Sequence, residues 1–186
     1  ELAEDLGRAA RGNPFLRVLG GGADAEVLAA MPPGLYGHVL AEIGLLALTP
    51  AEQRIAEAFV DALDLSGWLG TTTEEVAARA GATTVQAGAV LRRLQQIEPA
   101  GLFARSLAEC LELQARDRGL LTDEVKGVLG SLGALAEGGL TALAKASDLS
   151  VAEAGAALAI LRTLDPKPGA QFGAADPALL RAPDFV

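Results

Sequence analysis

Cysteine and histidine are almost missing from this chain, with Cys110 and His38 each occurring once in 186 residues. One thiol cannot close an internal disulfide and fits a reducing cytoplasm. One Cys and one His supply no metal cluster, so no metal site is expected. General-base catalysis by a lone histidine needs a positioned partner, and no nucleophile motif accompanies His38, which leaves it a surface or helix-packing role. A glycine-rich phosphate loop is also absent. No catalytic residue, cofactor or small-molecule ligand is assigned, and an enzyme is not expected. Aromatic residues are few, five Phe with Trp68 and Tyr36. Ala and Leu dominate instead, which favours small-to-medium side chains packed between helices over a β-sandwich. No apolar run approaches the roughly 18 residues of a membrane span, and the acidic start ELAED does not resemble a signal peptide, so no membrane association is expected.

Positive charge is scarce too. Lys and Arg total 15 against 24 Asp and Glu, a formal net charge of −9. Non-specific grip on nucleic acid depends on bases replacing phosphate counterions, so a protein partner fits this balance better. Residues 71–105 alone hold more bases than acids, 4 against 3. At 51% hydrophobic residues the chain has the material for a real core in one or two domains.

The order of elements follows from caps and breakers. Leu2 to Arg11 can form a short helix ended by Gly12-Asn13-Pro14. Gly20-Gly21-Gly22, Asp24, Glu26 and Pro32-Pro33-Gly34 mark a flexible acidic connector. Leu35, Tyr36, Val39, Leu40, Ile43 and Leu46 form a helical stripe. Thr49-Pro50 opens the next helix, running to about Asp64 with Ile55, Ala56, Phe59, Val60 and Leu63 inward. Ser66-Gly67 breaks it, and Trp68 and Leu69 anchor the turn. Thr73 to Arg79 and Thr84 to Ile97 then read as a helix-turn-helix. Its second helix carries Gln86, Arg92, Arg93, Gln95 and Gln96 on polar positions, and Gln86, Arg92, Arg93 and Gln96 are the DNA-facing candidates. The same tri-helical arrangement is a common way to pack short helices without any DNA.

A shift of 67 residues lays Val76–Pro99 over Leu143–Pro166, with identities at Ala77/Ala144, Gly88/Gly155, Leu91/Leu158, Leu94/Leu161 and Pro99/Pro166, and Thr83 and Ser150 at one cap position. Two similar helical subdomains are implied. Between the copies, Ser106 to Arg118 and Thr122 to Glu137 read as two helices. The second should be soft, because Gly127, Gly130 and Gly133 interrupt it and Gly138-Gly139 ends it. Beyond Asp165, Pro166, Pro168, Pro177 and Pro183 exclude regular structure and leave an extended tail.

The most informative stretch is Ile97 to Gln114. Glu98-Pro99-Ala100-Gly101 ends a helix, since Pro99 gives no N–H and Gly101 can take positive φ. Ser106 stands three residues before Glu109, a capping-box spacing that starts a new helix with Leu107, Cys110, Leu111 and Leu113 on its buried side. On local physics this is a corner in an all-α core. The string EPAGLFARSLAECLELQ, however, resembles the signature of the core-binding region of bacterial sigma-54 transcription factors. Gln95, Glu98, Pro99, Gly101, Ala104, Arg105, Leu107, Glu109, Cys110, Leu111 and Gln114 stand at matching places, with Leu102 replacing the usual β-branched residue. AFVDALDLSGWLGTTTEEVA upstream resembles a second family motif, with Trp68 where tyrosine is common, and LDPKPGAQFG and APDFV downstream resemble two more.

The resemblance implies an all-α fold of two packed helical subdomains with an extended C-terminal tail. Residues 1–18 would end the regulatory N-terminal region and 19–34 would be the linker. Residues 35–117 and 118–168 would be the two core-binding subdomains, and 169–186 would lead toward a DNA-binding domain the chain does not include. It implies RNA polymerase core as partner, an AAA+ ATPase activator, promoter DNA mainly through that further domain, and a cytoplasmic setting. Gln95, Glu98, Pro99, Gly101, Arg105, Leu107, Glu109, Leu111 and Gln114 become the candidate polymerase-binding motif. Arg105 either touches polymerase or pairs with Glu98 or Glu109 to fix the corner. A stand-alone helix-turn-helix DNA-binding regulator and a structural helical adaptor are the competing readings.

Overall fold

The computed structural model of the chain describes residues 34–173. The expected helix at Leu2 to Arg11, the connector before Gly34 and the tail beyond Gly173 lie outside the described residues. Among those described, all regular structure is helical: α1 Leu35–Leu45, α2 Pro50–Val60, α3 Thr73–Ala80, α4 Thr84–Leu94, α5 Leu107–Asp117, α6 Asp123–Gly130, α7 Leu132–Ala146 and α8 Val151–Leu161, then a 3-10 turn at Pro168–Phe172. The expected all-α class holds. The starts fall where the sequence supplies caps: Thr49 with Glu52, Thr72 with Glu75, Thr83 with Gln86 and Ser150 with Glu153 all form reciprocal capping boxes.

Two hydrophobic clusters organise the helices. The first gathers Leu35, Val39, Ile43, Ile55, Phe59, Val76, Val90, Leu94, Leu102 and Phe103. The second gathers Leu111, Ala115, Val125, Val128, Leu143, Ala154, Leu158 and Leu161. The changeover lies between Phe103 and Leu111, so α5 packs with the second lobe. The expectation that residues 35–117 form one subdomain places α5 in the first; the turn that buries Leu102 and Phe103 completes the first core before α5 begins.

The duplication is visible in three dimensions and is wider than the aligned repeat. Each lobe has four helices, with α1 to α4 answered by α5 to α8. In both copies the helix-turn-helix passes through a residue of positive φ, Gly81 at 63° and Asp148 at 55°. The following amide bonds back alike, Ala82 N to Ala77 O and Leu149 N to Ala144 O, both at 2.9 Å. The second copy of the left-handed position thus uses Asp, a residue that tolerates it.

Two expectations need correction. Thr122 to Glu137 is not one helix: α6 ends at Gly130 and the path bends by 110° into α7. Ser131 holds this corner by donating its hydroxyl to Ala146 O at 3.1 Å. Gly138 and Gly139 do interrupt helical geometry, with Gly139 at φ 66°, although α7 resumes behind them. The tail, expected to be irregular from Asp165 onward, coils into the 3-10 turn at Pro168–Phe172, where Pro168 supplies a preset φ. No single helix among the described residues is long and apolar enough to cross a membrane.

Candidate functional site

The motif residues meet at the corner between the lobes. Ile97 is buried, Glu98-Pro99 is a cis peptide, and Gly101 has φ 101°. A Cβ on Gly101 would lie 2.8 Å from Gln114 Nε2 and 2.9 Å from Cys110 Sγ, so the backbone must come this close to α5 without a side chain. Leu102, Phe103 and Ala104 are then completely buried. Gln95, at the end of α4, donates from Nε2 to Phe103 O at 3.2 Å and to Glu109 Oε1 at 3.1 Å, tying α4, the turn and α5 together.

Arg105 resolves onto Glu109. Its Nη2 reaches Oε1 at 2.6 Å and its Nε reaches Oε2 at 2.9 Å, while its backbone N–H donates to Oε2 at 2.7 Å. The expected capping box is therefore only half formed: Ser106 Oγ accepts from Glu109 N at 3.2 Å, but the Glu109 carboxylate turns to Arg105 and Gln95 instead of the Ser106 amide. Burial works to raise the Glu109 pKa, and the hydrogen bonds from Arg105 and Gln95 outweigh it and hold the carboxyl below its usual range. The Arg105 guanidinium is raised above its ordinary value chiefly by its hydrogen bond to Glu109.

The buried face of α5 is Cys110, Leu111, Gln114 and Ala115. Leu107, expected on that face, is 40% exposed, and Leu113 is half-buried. The helix is turned so that Gln114 points inward to the end of the second lobe, where its carboxamide holds both backbone groups of Asp165. Burial pushes the neighbouring Cys110 thiol pKa up.

Two further segments close the corner. Asp64 Oδ1 accepts from the amides of Ser66 and Trp68 at 2.8 and 3.0 Å, shaping the turn. Trp68 pairs with Ala104 in an isolated parallel bridge, and Leu69 N donates to Ala104 O at 2.9 Å, so the expected anchor is in place. Gly67 and Gly169 lie back to back: Gly169 N donates to Ser66 O at 2.9 Å, and a Cβ on Gly169 would be 2.5 Å from Gly67 N. His38 completes the packing by donating Nε2–H to Glu98 O at 2.6 Å and stacking on Phe172 at 4.8 Å between ring centroids. This is the helix-packing role expected of it.

The DNA-facing candidates divide. Gln86 is committed to the Thr83 capping box, and Arg93 reaches Glu52 and Ala47 O. Arg92 on α4 and Gln96 in the turn just past its end remain exposed. Two clefts open beside them, one of about 570 Å³ bordered by Thr73, Gly88, Arg92, Arg105 and Glu109, and one of about 340 Å³ bordered by Arg92, Gln96, Glu98, Leu113 and Arg116. Among the described residues, no group of His, Cys, Asp or Glu is placed to hold a metal ion. Sequence reasoning missed the Gln114 clamp, the Gly67–Gly169 contact and His38's partners. A glutamine one turn after Cys110 on an inward helical face was the available signal for the first.

The architecture defines a class: a tandem helical module whose lobes are each built on a helix-turn-helix and locked at one corner by motif residues. Residues 24–186 match the model of the sigma-54 factor, core binding domain. The RNA polymerase sigma-54 factor of Cereibacter sphaeroides is 47% identical over 166 residues, covering 88% of this chain and 38% of that protein. That of Rhodobacter capsulatus is 35% identical over 196 residues, covering all of this chain and 46% of the relative. The sigma-54 factor of Sinorhizobium fredii is 35% identical over 153 residues, 82% of this chain and 30% of its own length. The chain belongs to the sigma-54 factor family. It spans less than half the length of these relatives.

Proposed function

We propose that the chain binds the core of RNA polymerase and serves activator-dependent transcription initiation in the cytoplasm, with no catalytic chemistry of its own. The observation that carries this reading is the core-binding-domain match across residues 24–186. The corner supports a division of labour. Gln95, Glu98, Pro99, Gly101, Glu109, Leu111 and Gln114 set the geometry of the corner, and Arg105 and Leu107 stand outward from it as candidates to meet polymerase. Arg105 keeps 55% of its side chain exposed despite its ion pair. An AAA+ ATPase activator, and promoter DNA held mainly through another part of the whole protein, are the further partners of this reading.

Direct DNA readout by α4 is the weaker alternative. Two of its four candidates, Gln86 and Arg93, are engaged within the fold, leaving Arg92 and Gln96 to do the work, and the net charge of −9 opposes phosphate approach. Co-migration with purified core polymerase on a sizing column, without DNA, tests the main reading. A folded chain that fails to associate at micromolar concentration rejects it, and a salt-sensitive shift of promoter DNA by the chain alone would favour the alternative.

A further inference from the structure

The duplicated lobes differ at one seam. In the first lobe, where the start of α2 meets α4, Arg93 reaches Glu52 Oε1 at 3.4 Å and Ala47 O at 2.9 Å, closing the seam with a polar bridge. The second lobe places Val125 where Glu52 stands, each third after its threonine cap, and Ile160 where Arg93 stands in the repeat. With both partners of the bridge replaced by apolar residues, the seam stays open. It forms a notch of about 250 Å³ between α6 and α8, floored by Val125, Ala156, Ala157 and Ile160, with Glu124 and Glu153 at its edge. Glu124 feels the charge of Glu153, whose own carboxylate is held by the Ser150 cap, and among the described residues neither forms an ion pair.

An apolar hollow edged by two carboxylates, with no cation of its own, is complementary to an apolar side chain next to a base. We propose that this notch seats an aliphatic or aromatic side chain adjacent to an Arg or Lys on a surface segment of core polymerase. The proposal rests on the polymerase reading above and gives the second lobe its own contact, separate from the corner.

Two variants alter the notch: Ala156→Trp fills it, and Glu124→Lys reverses its edge while giving up the carboxylate's hydrogen bond to the Thr122 cap. Each should weaken binding of the full chain to purified core polymerase about tenfold, whereas Glu137→Lys, an equal charge change on α7, should leave it unaltered; circular dichroism melts check that all three fold. A benzophenone carried on Ala156→Cys, with native Cys110 buried and unreactive, should cross-link to a polymerase segment holding an apolar–basic pair. Unchanged affinity in both notch variants, or cross-links only to this chain's own residues or a second copy, overturns the proposal while leaving polymerase binding intact. If the wild-type chain does not bind core, the polymerase reading and this occupant both fall. The notch's chemistry is then read separately, by titrating the ¹⁵N-labelled chain with acetyl-Ala-Leu-Arg-Ala-amide and acetyl-Ala-Leu-Glu-Ala-amide. Amide shifts at Val125, Ala156 and Ile160 with the first peptide alone support an apolar–basic preference; equal or absent shifts reject it.

Discussion

Gln114 grips Asp165 from both sides: its Nε2 donates to Asp165 O at 2.6 Å and its Oε1 accepts from Asp165 N at 2.9 Å. The two residues are 51 apart in sequence and close the second lobe onto the corner. A 3% exposed glutamine side chain is costly to bury unless it is satisfied, and here both ends are. Gln114→Leu keeps the size and removes both bonds, leaving the Asp165 amide without this partner and its carbonyl with the Cys110 thiol at 3.8 Å. An unsatisfied buried backbone group costs about 1–3 kcal/mol, so the variant should lose roughly that much or somewhat more, measured by chemical denaturation. A loss under about 0.5 kcal/mol would mean that water replaces the clamp.

Gly169 and Gly133 should respond oppositely to alanine. A Cβ on Gly169 meets Gly67 N at 2.5 Å and Ser66 C at 2.6 Å, backbone atoms that cannot swing aside. Overpacking of this kind costs about 1–3 kcal/mol, so Gly169→Ala should be destabilised by that order. Gly133 has nothing within 4 Å of its virtual Cβ and sits inside α7. Gly133→Ala, in the first turn of α7, should therefore stabilise, with the helix-interior difference of about 0.5–1 kcal/mol as its upper bound. Thermal melts of the two variants against wild type check both signs.

Arg105 and Glu109 make a testable pH dependence. The Glu109 pKa is lowered in the folded chain. A depressed carboxyl contributes stability that is fully present above its unfolded pKa and is lost as pH falls through its folded pKa. Glu109→Gln should therefore flatten the acid limb of the stability curve below the ordinary carboxylate pKa of about 4.3 and change little of its shape at neutral pH. Arg105→Ala separates two roles. Because the guanidinium is largely exposed, its pair should contribute under about 1 kcal/mol. Lost polymerase binding at nearly unchanged melting identifies Arg105 as a contact; retained binding with a lower melting temperature makes it part of the scaffold.

Sequence periodicity located the helices well because their caps are local. Thr49, Thr72, Thr83 and Ser150 each meet their box partner three residues later, so their chemistry is contained in a four-residue window. The corner was legible as a turn from Pro99 and Gly101, and the motif residues named from resemblance do converge there. What stayed hidden was non-local. Glu109 satisfies every spacing rule for a capping box, yet Arg105 and Gln95 compete for its carboxylate and win. Leu107 fits the helical stripe, but the rotation of α5 is set by Gln114 reaching Asp165, a contact no window around either residue contains. Which core receives Leu111 and Ala115 is likewise shown only by packing.

The second lobe should open more readily than the first. Its stretch from Ala104 to Leu164 contains no aromatic residue, whereas the first core is centred on Phe59 and Phe103, both completely buried. Large aromatic side chains carry much of a core's burial, so the second lobe relies on Leu, Val and Ala alone. Its helix α7 is also broken in the middle, with Gly138 at φ −149° and Gly139 at φ 66°, which removes intrahelical bonds there. Gly127 adds a glycine inside α6, where a Cβ would rest 3.5 Å from Ser147 O, an ordinary contact that gives the glycine no steric necessity. Few buried contacts and interrupted backbone bonding are the features that place a segment at the low end of local stability. Amide hydrogen exchange should therefore run about tenfold faster across Val125 to Leu161 than across Ile55 to Phe103, equivalent to roughly 1.4 kcal/mol less opening free energy. Gly133→Ala should narrow this gap from the second-lobe side alone. Equal protection in both blocks would mean that the Gln114 clamp and the Gly67–Gly169 contact join the lobes into one cooperative unit, and that the second lobe has no independent freedom to adjust when polymerase is bound.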